Sequence, residues 1–148
     1  MKFSTETILE RPIDVVWRAF DNPENLKRWM PTLTKFEPIT GTPGQPGAIS
    51  RLTFVENGRT IVMDEIIHSR QEPYEFTGEY NAGFCTNKVG NRFESVAGGQ
   101  TKWTMDAEFL FTGFFKFVAP LMKGVFRKRV TDDCKRFKEK LEGGALAV

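Results

Sequence analysis

The pattern of apolar and polar positions changes character once along the chain. Up to residue 112 it consists of short alternating or apolar runs separated by turn residues; after Gly113 it takes the period of a helix. Residues 2–10 mix Thr, Phe, Ile and Leu with charges and predict a first strand, ended by Arg11-Pro12. Ile13, Val16, Trp17 and Phe20 then recur at i, i+3, i+4 and i+7, the apolar stripe of a short helix with Pro12 at its start. Asp21-Asn22-Pro23-Glu24 supplies a side-chain cap, an early proline and a first-turn acid for a second helix, which runs to about Trp29 and is stopped by Pro31. Residues 41–47, with their Gly and Pro, predict a loop.

Six further strands follow from the turn chemistry, at 34–40, 48–56, 59–70, 74–80, 84–96 and 101–112. Asn57-Gly58 is the strongest hairpin signal; Glu72-Pro73, Asn81-Ala82-Gly83 and Ala97-Gly98-Gly99-Gln100 mark the other turns. In the last strand Thr101, Trp103, Met105, Ala107 and Phe109 share one face. From Phe114 to about Glu142 one helical stripe joins Phe115, Val118, Met122, Phe126, Val130, Cys134, Phe137 and Leu141, with a kink expected at Pro120. Gly143-Gly144 ends the helix, and residues 145–148 are expected to fray. One helix cannot cover both faces of a seven-stranded sheet. The sheet must curl around it, giving an α+β fold in one domain over residues 1–148.

Composition adds an aromatic bias: 14 Phe and 3 Trp against 2 Tyr. Phenyl rings bring apolar area with no hydroxyl to satisfy, which suits a core or a dry pocket. A net charge of +2 selects no polyanionic partner. Cys85 and Cys134 form no CxxC spacing and read as free thiols; with no secretory h-region at the N-terminus and no apolar run long enough to span a bilayer, a cytoplasmic location without stable membrane insertion is expected.

Candidate chemistry is sparse. His68 is the one histidine, so metal ligation is not expected, and a strand-end surface position outweighs a general base. Asp64 and Glu65 are adjacent in a strand and point to opposite faces; one turns inward, to orient a ligand, to pair with Arg51 or Arg92, or to act as a buried acid. Asn87, Asn91 and Phe93 share a face that looks either into a pocket or out to solvent. Apolar candidates for a pocket wall are Trp29 from the second helix, Phe54, Met63, Phe76 and Tyr80 from the middle strands, and Phe93, Trp103 and Met105 from the last two. Phe115, Met122 and Phe126 would close it from the final helix, and the Met side chains adapt to varied shapes. Trp29 and Met30 are expected to act as a lid. The basic face of the final helix alternates with Asp132, Asp133, Glu139 and Glu142 and carries no stacking aromatics, which argues against nucleic acid.

The order of these features resembles the START-like, helix-grip superfamily, in its polyketide cyclase/dehydrase and lipid-transport branch. The resemblance rests on Arg11-Pro12 with Val15-Val16-Trp17, and on the run from Asn22-Pro23-Glu24 to Trp29-Met30-Pro31. It continues through Gly47, Glu72-Pro73, the turn before Thr101 and the closing stretch from Gly113 through Pro120. It implies a cavity between sheet and long helix that takes a lipid, sterol or polyketide-like molecule, and no particular chemistry. A monomer or homodimer with no cofactor is expected. Binding or transport is the expected role, and a small cyclase or dehydratase using a pocket acid or base is the alternative.

Overall fold

A computed structural model describes all residues, 1–148. Seven strands build one antiparallel sheet: β1 (Lys2–Leu9), β2 (Leu33–Thr40), β3 (Ile49–Glu56), β4 (Arg59–Gln71), β5 (Glu75–Asn81), β6 (Cys85–Val96) and β7 (Gln100–Phe111). Their order is β1-β7-β6-β5-β4-β3-β2, so β2 to β7 form a meander and β1 closes on β7. Asn57 and Gly58 both take positive φ, 51° and 74°, the conformation a two-residue hairpin turn requires between right-twisted strands. Two helices, α1 (Ile13–Asp21) and α2 (Pro23–Trp29), carry the chain from the β1 edge to the β2 edge across the concave side. The Asn22 side chain accepts a hydrogen bond from the Glu24 N–H, capping α2 as its sequence predicts.

The ladder between β4 and β5 slips by one residue between Ile67 and Ser69. Before the slip Ile61, Met63, Glu65 and Ile67 face inward. The extra residue, His68, reverses the alternation, and Arg70 turns inward instead of Ser69.

The final helical segment is where sequence and structure part. It runs from Phe115 to Glu142, but Pro120 does more than kink it. Proline has no N–H to donate and crowds the carbonyl four residues back. The chain answers with α3 (Phe115–Val118), a 3-10 turn (Ala119–Met122) and only then α4 (Lys123–Glu142). The 20 residues of α4 extend about 30 Å. The single buried stripe expected from Phe115 to Leu141 is therefore divided: Cys134, Phe137 and Leu141 are buried, whereas Phe115 and Met122 are exposed.

The solid core sits at the C-terminal end of α4. Phe137 lies 5.2 Å from both Trp29 and Trp103, ring centre to ring centre. Phe20, Trp17 and Phe93 continue the cluster, and Leu9 and Leu141 seal it. The C-terminal tail does not fray. Leu146 is buried in this core, and the fully buried Asn25 holds the tail by its amide. Asn25 Nδ2 donates to the Ala19 and Ala147 carbonyls at 2.9 and 2.8 Å, while its Oδ1 accepts from the Ala147 N–H at 2.9 Å. Asn25→Ala leaves two carbonyls and an N–H without partners. It should lower the unfolding free energy by about 2–3 kcal/mol. Urea denaturation measures this, and a loss below about 0.5 kcal/mol would show that the tail is not anchored as described.

Candidate functional site

The concave face is filled at one end and open at the other. Where α4 presents Phe126, Arg129, Val130 and Asp133 instead of Phe137 and Leu141, the helix stands off the sheet. A cavity of about 550 Å³ remains beneath it, well inside the range of small-molecule sites. Leu52 and Phe54 of β3, Ile61 and Met63 of β4, and Phe76 of β5 form one wall. Val89, Met105, Ala107 and Phe109 form another, and Leu26, Trp29 and Met30 of α2 and the residue after it contribute to its lining.

Most of the wall is apolar; charged side chains stand at its margins, and polar ones cross the sheet along one line. The strand registers align Ser50 with Glu65, Glu65 with Tyr80, and Tyr80 with Asn87. Four adjacent strands thus place one polar residue each on the same inward rung. Tyr80 and Glu65 are cross-strand partners, close enough for the hydroxyl and the carboxyl to shift one another's proton affinity. Burial pushes the Glu65 carboxyl above its ordinary range, and the neighbouring Tyr80 hydroxyl only partly offsets this. Burial, together with the Glu65 charge, holds the Tyr80 phenol well above its ordinary value, so it stays protonated and a donor. Asn87 Oδ1 is buried and accepts no hydrogen bond, and the buried indole nitrogen of Trp29 likewise has no partner. Such atoms are uncommon in folded proteins; of the three here, these two belong to residues of the cavity wall, and the third, the Trp17 indole nitrogen, lies in the solid core.

Two ion pairs stand at the margins. Arg70, turned inward by the bulge, donates to Asp21 at 2.5 and 2.7 Å and to the Gly44 carbonyl at 3.3 Å, tying α1 to the 41–47 loop. Arg129 of α4 reaches Glu56 and Thr32 on the other side. Burial raises the Asp133 carboxyl, with Arg129 and Arg136 partly offsetting it, and Asp133 accepts a hydrogen bond from Arg136 at 2.9 Å.

Of the sequence candidates, Trp29, Phe54, Met63, Phe76, Tyr80, Asn91, Met105 and Phe126 line the cavity. Phe93 and Trp103 do not; they stack on one another within the solid core. Phe115 and Met122 lie outside because the break at Pro120 carries them to the surface. Asn91 faces inward, but its Oδ1 is taken by the Trp103 indole at 3.0 Å, which leaves Asn87 as the free amide. Trp29 is a wall and not a lid: it is buried among Phe20, Trp103 and Phe137. Among the titratable candidates only Glu65 reaches the cavity. Asp64 is on the outer face with Arg51 at 2.9 Å, and His68 sits in the bulge beside Glu79 at 3.2 Å. Both thiols are held towards their protonated form, since burial raises Cys85 and pushes Cys134 up to about 12. Sequence reading missed Ser50 and the marginal pairs, because residue type alone does not reveal strand register.

A curved antiparallel sheet closed by a C-terminal helix over a cavity defines a helix-grip protein. Residues 1–142 match the family described as polyketide cyclase/dehydrase and lipid transport, and the chain belongs to that family. Solved structures agree on the fold. The aromatase/cyclase Zhui from Streptomyces sp. R1128 is similar with a TM-score of 0.79 at 12% identity, covering 96% of this chain and 93% of its own. A START superfamily protein from Mycobacterium smegmatis gives 0.78 at 12% identity, covering 96% and 97%. The protein TTHA0849 from Thermus thermophilus gives 0.78 at 16% identity, covering 97% and 99%. A comparison with curated proteins finds no match.

The buried Glu65 makes stability depend on pH with a defined sign. Its folded-state pKa lies above the ordinary 4.5, so the folded protein holds this proton more tightly than the unfolded chain. The contribution is present at low pH and is lost as pH rises from the ordinary value through the folded one; Asp133 acts in the same direction. Glu65→Gln removes the Glu65 share, so its stability relative to wild type should climb as pH rises above 4.5 and then level off. Urea melts across that interval measure it. A difference that stays constant with pH would contradict a buried, weakly acidic Glu65.

Proposed function

We propose that this protein binds and carries a small apolar molecule bearing one hydrogen-bonding group part-way along its body. The observation that carries the reading is the polar rung across the sheet wall of the cavity, with an unpaired acceptor on it. A site for a plain hydrocarbon has no use for Glu65, Tyr80 and Asn87 in register on its wall, and Asn87 has an acceptor with no donor. An unpaired buried acceptor costs about 1–3 kcal/mol, which a ligand hydroxyl or amine at that point recovers. The cavity takes a molecule of lipid, sterol or polyketide size. Trp29, Phe54, Met63, Phe76, Met105 and Phe126 would supply apolar contact, and Tyr80 with Asn87 would fix its orientation. The lipid-transport side of the family supports this reading, and two buried free thiols suit a reducing compartment such as the cytoplasm.

The Glu65–Tyr80 pair favours a second reading, a cyclase or dehydratase in which Glu65 moves a proton on a polyketide-like substrate. A carboxyl raised by burial is the kind of group acid–base chemistry uses. The family description covers such enzymes, and Zhui is an aromatase/cyclase. Carriage is preferred because no second titratable group with a shifted proton affinity shares the rung except Tyr80, which stays protonated.

Displacement of a fluorescent apolar dye by a long-chain alcohol and by the alkane of equal length tests the binding reading. The alcohol should bind about five- to hundredfold more tightly, and Asn87→Leu should abolish most of that preference while retaining the alkane. Equal affinity for both in the wild-type protein would remove the rung from ligand recognition.

A further inference from the structure

The three most exposed large apolar side chains of the protein fall in one stretch: Phe114 at 74%, Phe117 at 79% and Leu121 at 87% of their surface in water. Phe115, Met122 and Val125 extend the same patch. Soluble surfaces seldom gather bulky apolar groups in this way without something to cover them. Pro120 is the cause of the display, since it breaks the helical stripe that would otherwise fold onto the sheet. The charge around the patch is one-sided. From Glu108 to Asp132 the sequence holds no acid between them, but it holds Lys116, Lys123, Arg127, Lys128 and Arg129. Lys128 and Arg129 are paired with Asp132 and Glu56. Lys116, Lys123 and Arg127 are exposed, and Arg127 lies over the Phe3 ring without a carboxylate. The alternation of acids along the basic face therefore belongs only to the C-terminal half of α4.

We propose that residues 114–127 dock the protein onto the surface of an anionic lipid bilayer. Phe114, Phe117 and Leu121 enter the boundary between headgroups and acyl chains, and Lys116, Lys123 and Arg127 meet the headgroup charge. No helix is long and apolar enough to cross a membrane, so the attachment is interfacial. A second copy of the chain is the poorer occupant. A self-complementary interface would bring the three free cations of one copy against those of the other, with no acid in the patch to answer them. The patch also adjoins the cavity. The Phe115 ring lies 5.0 Å from that of Phe84, and Phe84 and Phe126 both line the cavity wall. An apolar ligand would have a short route between bilayer and interior. This last point rests on the proposed carrier role; the docking itself does not.

Vesicle flotation tests the proposal, with vesicles of equal parts phosphatidylglycerol and phosphatidylcholine set against phosphatidylcholine alone. Binding to the anionic vesicles should exceed that to the neutral ones by at least about tenfold and should fall in high salt. The double variant Phe117→Asp/Leu121→Asp should lose at least about tenfold in vesicle binding while keeping its melting temperature and dye binding in the cavity. Lys116→Ala and Lys123→Ala should each weaken the anionic preference about fivefold. Absence of anionic binding would overturn the proposal, as would a dimer in solution that the double aspartate variant dissolves. Because dye binding is read separately, either failure leaves the cavity reading to stand or fall alone.

Discussion

The structure depends on a mismatch of areas. Seven strands present more concave surface than one α-helix can cover, and α4 meets that surface closely only along its last turns. There Phe137 inserts between Trp29 and Trp103, α1 and α2 pack alongside, and Asn25 ties in the tail. Burial of that aromatic cluster fixes the position of the helix as a rigid body. Everything nearer the N-terminus of α4 then follows from geometry. The helix departs from the sheet, Phe126 and Val130 become a roof, and the space below stays open.

The open space acquires its chemistry from register. Successive antiparallel pairings carry one inward polar residue from each of β3, β4, β5 and β6 onto the same rung. A shift of one residue in any ladder would turn that residue outward and replace it with a neighbour from the solvent face. The bulge at His68 shows the device in use, since it swaps Ser69 for Arg70 on the inner face and lets Arg70 bind Asp21. Polar recognition and loop attachment are thus set by pairing and not by any local motif.

Much of this was legible in the sequence. Alternation, Asn57-Gly58 and the cap at Asn22 locate seven strands and two short helices to within a residue or two, because each signal acts locally. The strand residues Phe54, Met63, Phe76, Tyr80 and Met105 of the pocket wall were identifiable for the same reason: inward parity and apolar or aromatic character go together. What was not legible depends on tertiary contact. Trp103 and Phe93 share parity with Met105 and Asn91, and only the approach of Phe137 decides that the former are core and the latter face the cavity. The anchored tail depends on Asn25, whose partners lie far along the chain. A polar residue in a helix announces no such role.

The central claim is that the helix roof leaves a ligand-accessible interior at one end of the sheet only. The five methionines report on it directly, since Met30, Met63 and Met105 line the cavity, whereas Met122 is exposed and Met1 is the chain start. Carbon-13 methyl spectra of Met-labelled protein, recorded while xenon or a long-chain alcohol is added, separate the two groups. The account predicts saturable shifts at Met30, Met63 and Met105 with Met1 and Met122 unmoved. Unmoved signals from Met63 and Met105 would contradict it.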